Sequence, residues 1–139
     1  MNCHEERLEV ATTGRGLLDI TADVQHAVRR AGVTTGFVVV FCQHTSCSLL
    51  IQENADPSAR RDLLAWLERL APDGDPRYTH DAEGPDDMAA HLRSVVTKTS
   101  ETIPVHGGRL ALGTWQGLYL AEHRTRPHRR RVALTVVGS

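Results

Sequence analysis

The stretch that decides the fold is Thr34-Thr35-Gly36-Phe37-Val38-Val39-Val40-Phe41-Cys42-Gln43. From Phe37 to Phe41 every residue is β-branched or aromatic, which favours extended backbone. The run is apolar on both faces instead of alternating, so it predicts a central strand. It stops abruptly at Gln43-His44-Thr45-Ser46. A rigid core strand that ends in four polar residues delivers their side chains to a pocket.

The elements on either side follow from local signals. Arg7 to Thr12 alternates through Leu8 and Val10 and reads as a first strand. Thr21 is placed to cap a helix running to Ala31, with Val24, Ala27 and Val28 on one face and Gly32 as its stop. Ser48 to Gln52 is a strand expected to neighbour the central one. Asp56-Pro57 is an N-cap aspartate followed by proline at the first helical position. That helix is expected to reach Leu70, with Leu63, Leu64, Leu67 and Leu70 as its apolar stripe. A third helix follows Gly84-Pro85 and carries Met88, Leu92, Val95 and Val96 on its apolar face. Strands are predicted over Thr99–Val105, Arg109–Leu112, Thr114–Glu122 and Arg130–Val137, with His106-Gly107-Gly108 as a hairpin turn. Strands outnumber helices and connections are short, which predicts an α+β fold, mainly antiparallel sheet with helices packed on it.

Composition sets limits. The chain has 139 residues, enough for one domain over residues 1–139. Apolar residues make up 40% and charged residues 24%, ordinary for a globular protein. A net charge of −1 gives no electrostatic case for nucleic acid. No apolar run approaches the roughly 20 residues of a membrane span, and Met1 to Val10 lacks the apolar core of a signal peptide. Cys3, Cys42 and Cys47 form no Cys-x-x-Cys pair, and their odd number suits a reducing compartment. Cytoplasmic location is the expectation, and Cys42 and Cys47 read as buried filler. Neither a phosphate-cradling glycine loop nor regular β-α alternation is present, so no nucleotide cofactor is expected.

Four segments carry chemistry. His44, Thr45 and Ser46 end the central strand, and Glu53-Asn54 ends the next one; Glu53 either approaches His44 or caps the following helix. His80-Asp81-Ala82-Glu83-Gly84-Pro85-Asp86-Asp87-Met88-Ala89-Ala90-His91 holds two imidazoles and four carboxylates in one short span. Neutral imidazoles with a carboxylate suit zinc, and carboxylates with water suit magnesium or manganese. His80 and His91 read as a site, whereas Asp86 and Asp87 read as a solvated helix start complementing the macrodipole. In Gly113-Thr114-Trp115-Gln116-Gly117, Trp115 is expected in the core, while Gln116 faces either a ligand or backbone. Glu122-His123-Arg124 leads into Arg126, Arg129, Arg130 and Arg131, a basic cluster that suits a hairpin tip, a subunit contact or an anion site.

Taken together and in order, His44-Thr45-Ser46-Cys47-Ser48-Leu49, Glu53-Asn54-Ala55-Asp56-Pro57, the His80-to-Met88 segment, Gly113-Thr114-Trp115-Gln116 and Glu122-His123-Arg124 resemble the YjbQ family, over about Gly36 to Gly138. One departure is Cys47, where alanine or another small residue is expected. The resemblance implies a mixed β-sandwich and a cyclic homotrimer. It also implies a weak thiamine-phosphate-synthase-like activity, joining a pyrimidine diphosphate to a thiazole phosphate with release of pyrophosphate. It marks His44, Glu53, His80 and His91 as the candidate pocket residues; as catalytic groups, His44, His80 and His91 would hold a divalent ion, zinc or magnesium, or act as acid–base groups, with Glu53 orienting one imidazole. Thr45, Ser46, Asn54, Asp81, Glu83, Gln116, Glu122 and Arg124 are then the residues expected around a small phosphorylated substrate. Two other readings stand beside this one: a metal-dependent hydrolase of a small phosphorylated metabolite, and a non-catalytic metal- or metabolite-binding protein.

Overall fold

A computed structural model describes all 139 residues, Met1–Ser139. The order is β1 (Asn2–Ala11), β2 (Gly16–Asp19), α1 (Thr21–Ala31), β3 (Thr35–Cys42), β4 (Cys47–Glu53), α2 (Pro57–Leu70), α3 (Asp87–Val96), β5 (Ser100–His106), β6 (Arg109–Leu110), β7 (Gln116–Glu122) and β8 (Arg129–Gly138). Two sheets form, one of five strands in the order β1-β8-β3-β5-β6 and one of three in the order β2-β7-β4. Every ladder within them is antiparallel.

β3 lies in the middle of the larger sheet, as its composition predicts. Only one of its faces is covered within the chain: Val38, Val40 and Cys42 are buried, while Phe37 and Phe41 remain 40% and 44% exposed. Gly36 is needed where β3 meets the end of β8, because a Cβ there would sit 1.9 Å from the Val137 carbonyl oxygen. The core joins these inward residues to Leu49, Leu118 and Leu120 of the smaller sheet and to Val24, Ala27 and Val28 of α1. Each valine or leucine among them contributes about 1.5–3 kcal/mol when fully buried.

Local signals placed α1 and α2 accurately. Gly32 ends α1 in the left-handed region at φ 67°, and Asp56 caps α2 by accepting from the Ser58 amide. Thr21 is not the α1 cap: it is the first helical residue, its amide donates to Asp19 and its hydroxyl accepts from the Leu118 amide. The β5–β6 hairpin turns on Gly107 and Gly108, both at positive φ.

Four expectations give way. β4 does not neighbour β3; it crosses to the other sheet and pairs with β7, because its apolar residues complete the second layer of the core. Along α2 only Leu67 is buried, and Leu70 is half-exposed. α3 buries Asp87, Ala89, Ala90 and Arg93 instead of Val95 and Val96, which are 79% and 51% exposed. The alanines leave room for a close approach, and the fully buried Arg93 donates twice to the Ala71 carbonyl. Trp115 is 64% exposed, because it precedes β7 in a turn closed by the Gln116 amide on the Gly113 carbonyl. No helix is long and apolar enough to cross a membrane.

Candidate functional site

The β3–β4 turn and α3 meet at one end of the sandwich. Asp87 and His91 are one helical turn apart, so their side chains share a face of α3. The His91 Nε2 lies 3.1 Å from Asp87 Oδ2, and the His80 Nε2 approaches the same oxygen at 2.7 Å. The two imidazole rings are 5.4 Å apart between centroids. One donor atom from each of His80, Asp87 and His91 falls within 4.8 Å of the others.

The hydrogen-bond partners around this trio restrict its chemistry. His91 Nδ1 is 2.8 Å from the Thr45 carbonyl, which only accepts, so Nδ1 carries the hydrogen. In the neutral ring Nε2 is then a bare acceptor pointing at a carboxylate. Two acceptors at 3.1 Å repel unless a proton or a cation lies between them. Asp87 is in turn held by Arg124, whose Nη1 donates to Oδ1 at 2.8 Å. Burial opposes the charge on Asp87, but the His80 hydrogen bond and the nearby His91 and Arg124 charges hold its carboxyl below the ordinary value. A ligand histidine anchored to a backbone carbonyl and a carboxylate oriented from behind are the usual surroundings of a metal centre. The donor set of two imidazoles and one carboxylate therefore fits zinc, with room left in the coordination sphere.

Beside the trio opens a cleft of about 490 Å³, lined by His44, Thr45, His91, Ser94, Val95 and Thr99. His44 is in the cleft but not among the donors. Its Nε2 accepts the Arg131 amide at 2.8 Å, and Nδ1 faces Arg130, so the lone pair a metal needs is already used. Burial first, then the Arg130 charge, holds the His44 pKa below its ordinary value and keeps the ring neutral. The expected convergence of three imidazoles thus becomes two imidazoles and Asp87. On the other side of His80 a second hollow of about 340 Å³ includes Asp81.

Other predicted residues serve elsewhere. Glu53 and His44 are not together: β4 runs about 3.3 Å per residue, so Glu53 ends the strand far from Cys47, and its carboxylate accepts the Ala55 and Asp56 amides. Asn54 and Gln116 lie at that same far end, Asn54 donating to the Thr114 and Gln116 carbonyls and Gln116 accepting from Gly113. Glu122 is fully buried, its carboxylate taken by Arg130, Thr12 and the Arg124 amide, so it offers nothing to a ligand. Arg124 spends its fork on Asp86, Asp87 and the Glu83 carbonyl, which makes it an orienting group; Glu83 enters only through that carbonyl. Ser46 likewise contributes its carbonyl, which receives Arg130 and the His123 amide. Asp86 and Asp87 are not a solvated helix start: both are buried on Arg124. The i,i+4 pair Asp87–His91 was a readable signal for this, as was the Val132-Leu134-Val136 alternation that carries Arg130 inward.

A family model described as UPF0047 protein YjbQ-like matches residues 6–139. The chain belongs to the YjbQ-like UPF0047 family. The match takes in β2 and α1, which carried no part of the sequence resemblance. Among YjbQ-like relatives, UPF0047 protein sll1880 of Synechocystis sp. is 52% identical over 135 residues, covering 97% of this chain and 92% of that protein. UPF0047 protein YjbQ of Escherichia coli O157:H7 is 38% identical over 136 residues, covering 97% and 98%. The crystal structure of the conserved hypothetical protein TT1486 from Thermus thermophilus superimposes with a TM-score of 0.86 at 39% identity, covering 95% of this chain and 99% of that one.

Proposed function

We propose that this YjbQ-like chain is a zinc-class metalloenzyme acting on small phosphorylated molecules, with a thiamine-phosphate-synthase-like condensation as its activity. The observation that carries this reading is the convergence of one donor atom each from His80, Asp87 and His91 within 4.8 Å, with the His91 ring tied to the Thr45 carbonyl through Nδ1. His80, Asp87 and His91 would hold the ion, which as a Lewis acid would neutralise the charge developing on a pyrophosphate leaving group. Arg124 fixes the Asp87 carboxylate, and Thr45 fixes the His91 ring. His44 lines the cleft, with Nε2 taken by the Arg131 amide and Nδ1 facing Arg130.

Titrating zinc into metal-free protein tests the centre. Wild type is expected to bind about one ion per chain, and Asp87→Asn to lose more than about 100-fold in affinity, beyond the 10–100-fold typical of outer-shell changes. Folded wild-type protein that binds no zinc ends this reading. The reaction is tested by growth of a strain lacking thiamine-phosphate synthase: wild type should restore it and His91→Ala should not. One observation favours hydrolysis of a phosphorylated metabolite instead. Arg124 and Arg130 are spent on internal carboxylates, so neither is free to hold a diphosphate. Zinc-dependent phosphate release without growth rescue would select that alternative.

The proposed assembly is a homotrimer. The exposure of Phe37 and Phe41 on the outer face of a central strand supports burial of that face against another copy. A monomeric mass by light scattering would remove it.

A further inference from the structure

Cys42 ends β3 and Cys47 begins β4, so two thiols bracket the turn that carries His44, Thr45 and Ser46. Both are buried, and their sulfurs lie 3.2 Å apart. Ordinary non-bonded carbon contacts settle at about 3.5–4.0 Å. A disulfide requires about 2.05 Å, so the two sulfurs are roughly 1.2 Å from bonding distance. The strands they belong to are in different sheets, so a bond here would tie the sheets together at the end holding the site. The metal centre makes no use of either thiol. The Cys42 thiol also donates to the Cys47 carbonyl at 3.4 Å, so both polar contacts of its sulfur are with Cys47.

We propose that Cys42 and Cys47 are a redox modification site that closes to a reversible disulfide and, in doing so, shifts the turn whose Thr45 carbonyl holds His91. The oxidant class is a peroxide. One thiolate attacks hydrogen peroxide, giving sulfenic acid and hydroxide; the neighbouring thiol then displaces that hydroxyl as water and forms the S–S bond. Both sulfurs are oxidised, and the peroxide is reduced to two waters in all. A dithiol reductant reverses the reaction by exchange, ending as its own disulfide. His44 and Thr45 line the open cleft, which brings a molecule as small as peroxide to the turn. The effect on His91 rests on the metal reading above, whereas the disulfide itself does not.

The test uses the full chain with Cys3→Ser, which removes the exposed third thiol. After peroxide, the protein is alkylated under denaturing conditions and digested with trypsin. Cys42 and Cys47 fall in one peptide, residues 31–60. The expected result is that peptide unalkylated and two hydrogen atoms lighter, regaining two alkylatable thiols after dithiol treatment. Cys47→Ala, with its fold checked by circular dichroism, should give no such product. Two free thiols at peroxide levels that oxidise Cys3 of the wild type, or sulfinic acid in place of the bond, overturn the site. Zinc affinity is expected to fall about tenfold on oxidation, the scale of losing a ligand's outer-shell partner. Equal affinities in the two states overturn the link to His91 while the disulfide stands. Reduced protein that binds no zinc removes the metal reading and the link together, with the disulfide still decided by the peptide mass.

Discussion

The three-stranded sheet has two ends built from similar residue types and put to different uses. Where Cys47 pairs with Glu122, the polar groups are buried and bonded to other side chains. Glu122 takes Arg130 and Thr12, while Ser48 takes the ring of His123 and the hydroxyl of Thr97. Where Glu53 pairs with Gln116, the carboxylate and the amides cap nearby backbone in or beside solvent. A carboxylate's role here therefore follows from its end of the strand and not from its motif. At the buried end an unpaired charge is costly, so each group is held; at the open end water substitutes for any lost partner.

The largest expected effect comes from breaking the buried pair. Arg130→Ala leaves the Glu122 carboxylate without its guanidinium and should cost about 3–5 kcal/mol in urea unfolding. A loss under about 1 kcal/mol would mean that water reaches Glu122 as it reaches Glu53.

A smaller effect comes from pH. Burial, then the Arg93 charge, pushes His123 down to about 3 from an ordinary 6.5. The unfolded chain takes up this proton near 6.5, while the native chain refuses it until about 3. Stability is therefore fully present above that upper value and falls as pH drops through the window. By about pH 4 the loss should be on the order of 2–3 kcal/mol. His123→Gln, which keeps a partner for Ser48, should flatten this slope; an unchanged slope would assign the acid sensitivity to the carboxylates.

The smallest effects belong to the open end. Glu53→Gln and Gln116→Ala should each cost no more than about 1 kcal/mol and leave zinc affinity within about twofold, against the 10–100-fold of true outer-shell groups. A tenfold fall for Glu53→Gln would bring Glu53 to the centre from another copy of the chain.

Much of the fold is readable because its signals are short-range. The Asp56-Pro57 start of α2, Gly32 at the end of α1 and the Gly107-Gly108 turn each need only a few consecutive residues. The site is half readable. His80 and His91 stand out by residue type, but Asp87 reads as solvated because acidic residues usually decorate helix starts. Arg130 is hidden among exposed arginines, although strand alternation sends it inward and its neighbours outward. Trp115 and Val95 mislead in the opposite sense, being apolar residues that the fold leaves exposed.

The sequence alone carried the elements other than β2, the packing of helices on antiparallel sheet and, among three imidazoles, the two that meet at Asp87. What the tertiary structure alone decided was which sheet β4 joins, and so which carboxylate meets which ring. The reason is range. Capping and periodicity act over a turn or a strand, whereas Arg124 reaches Asp87 across 37 positions and His91 reaches Thr45 across 46. Contacts that distant are set by how the sheets close over a common core, and no local pattern encodes that closure.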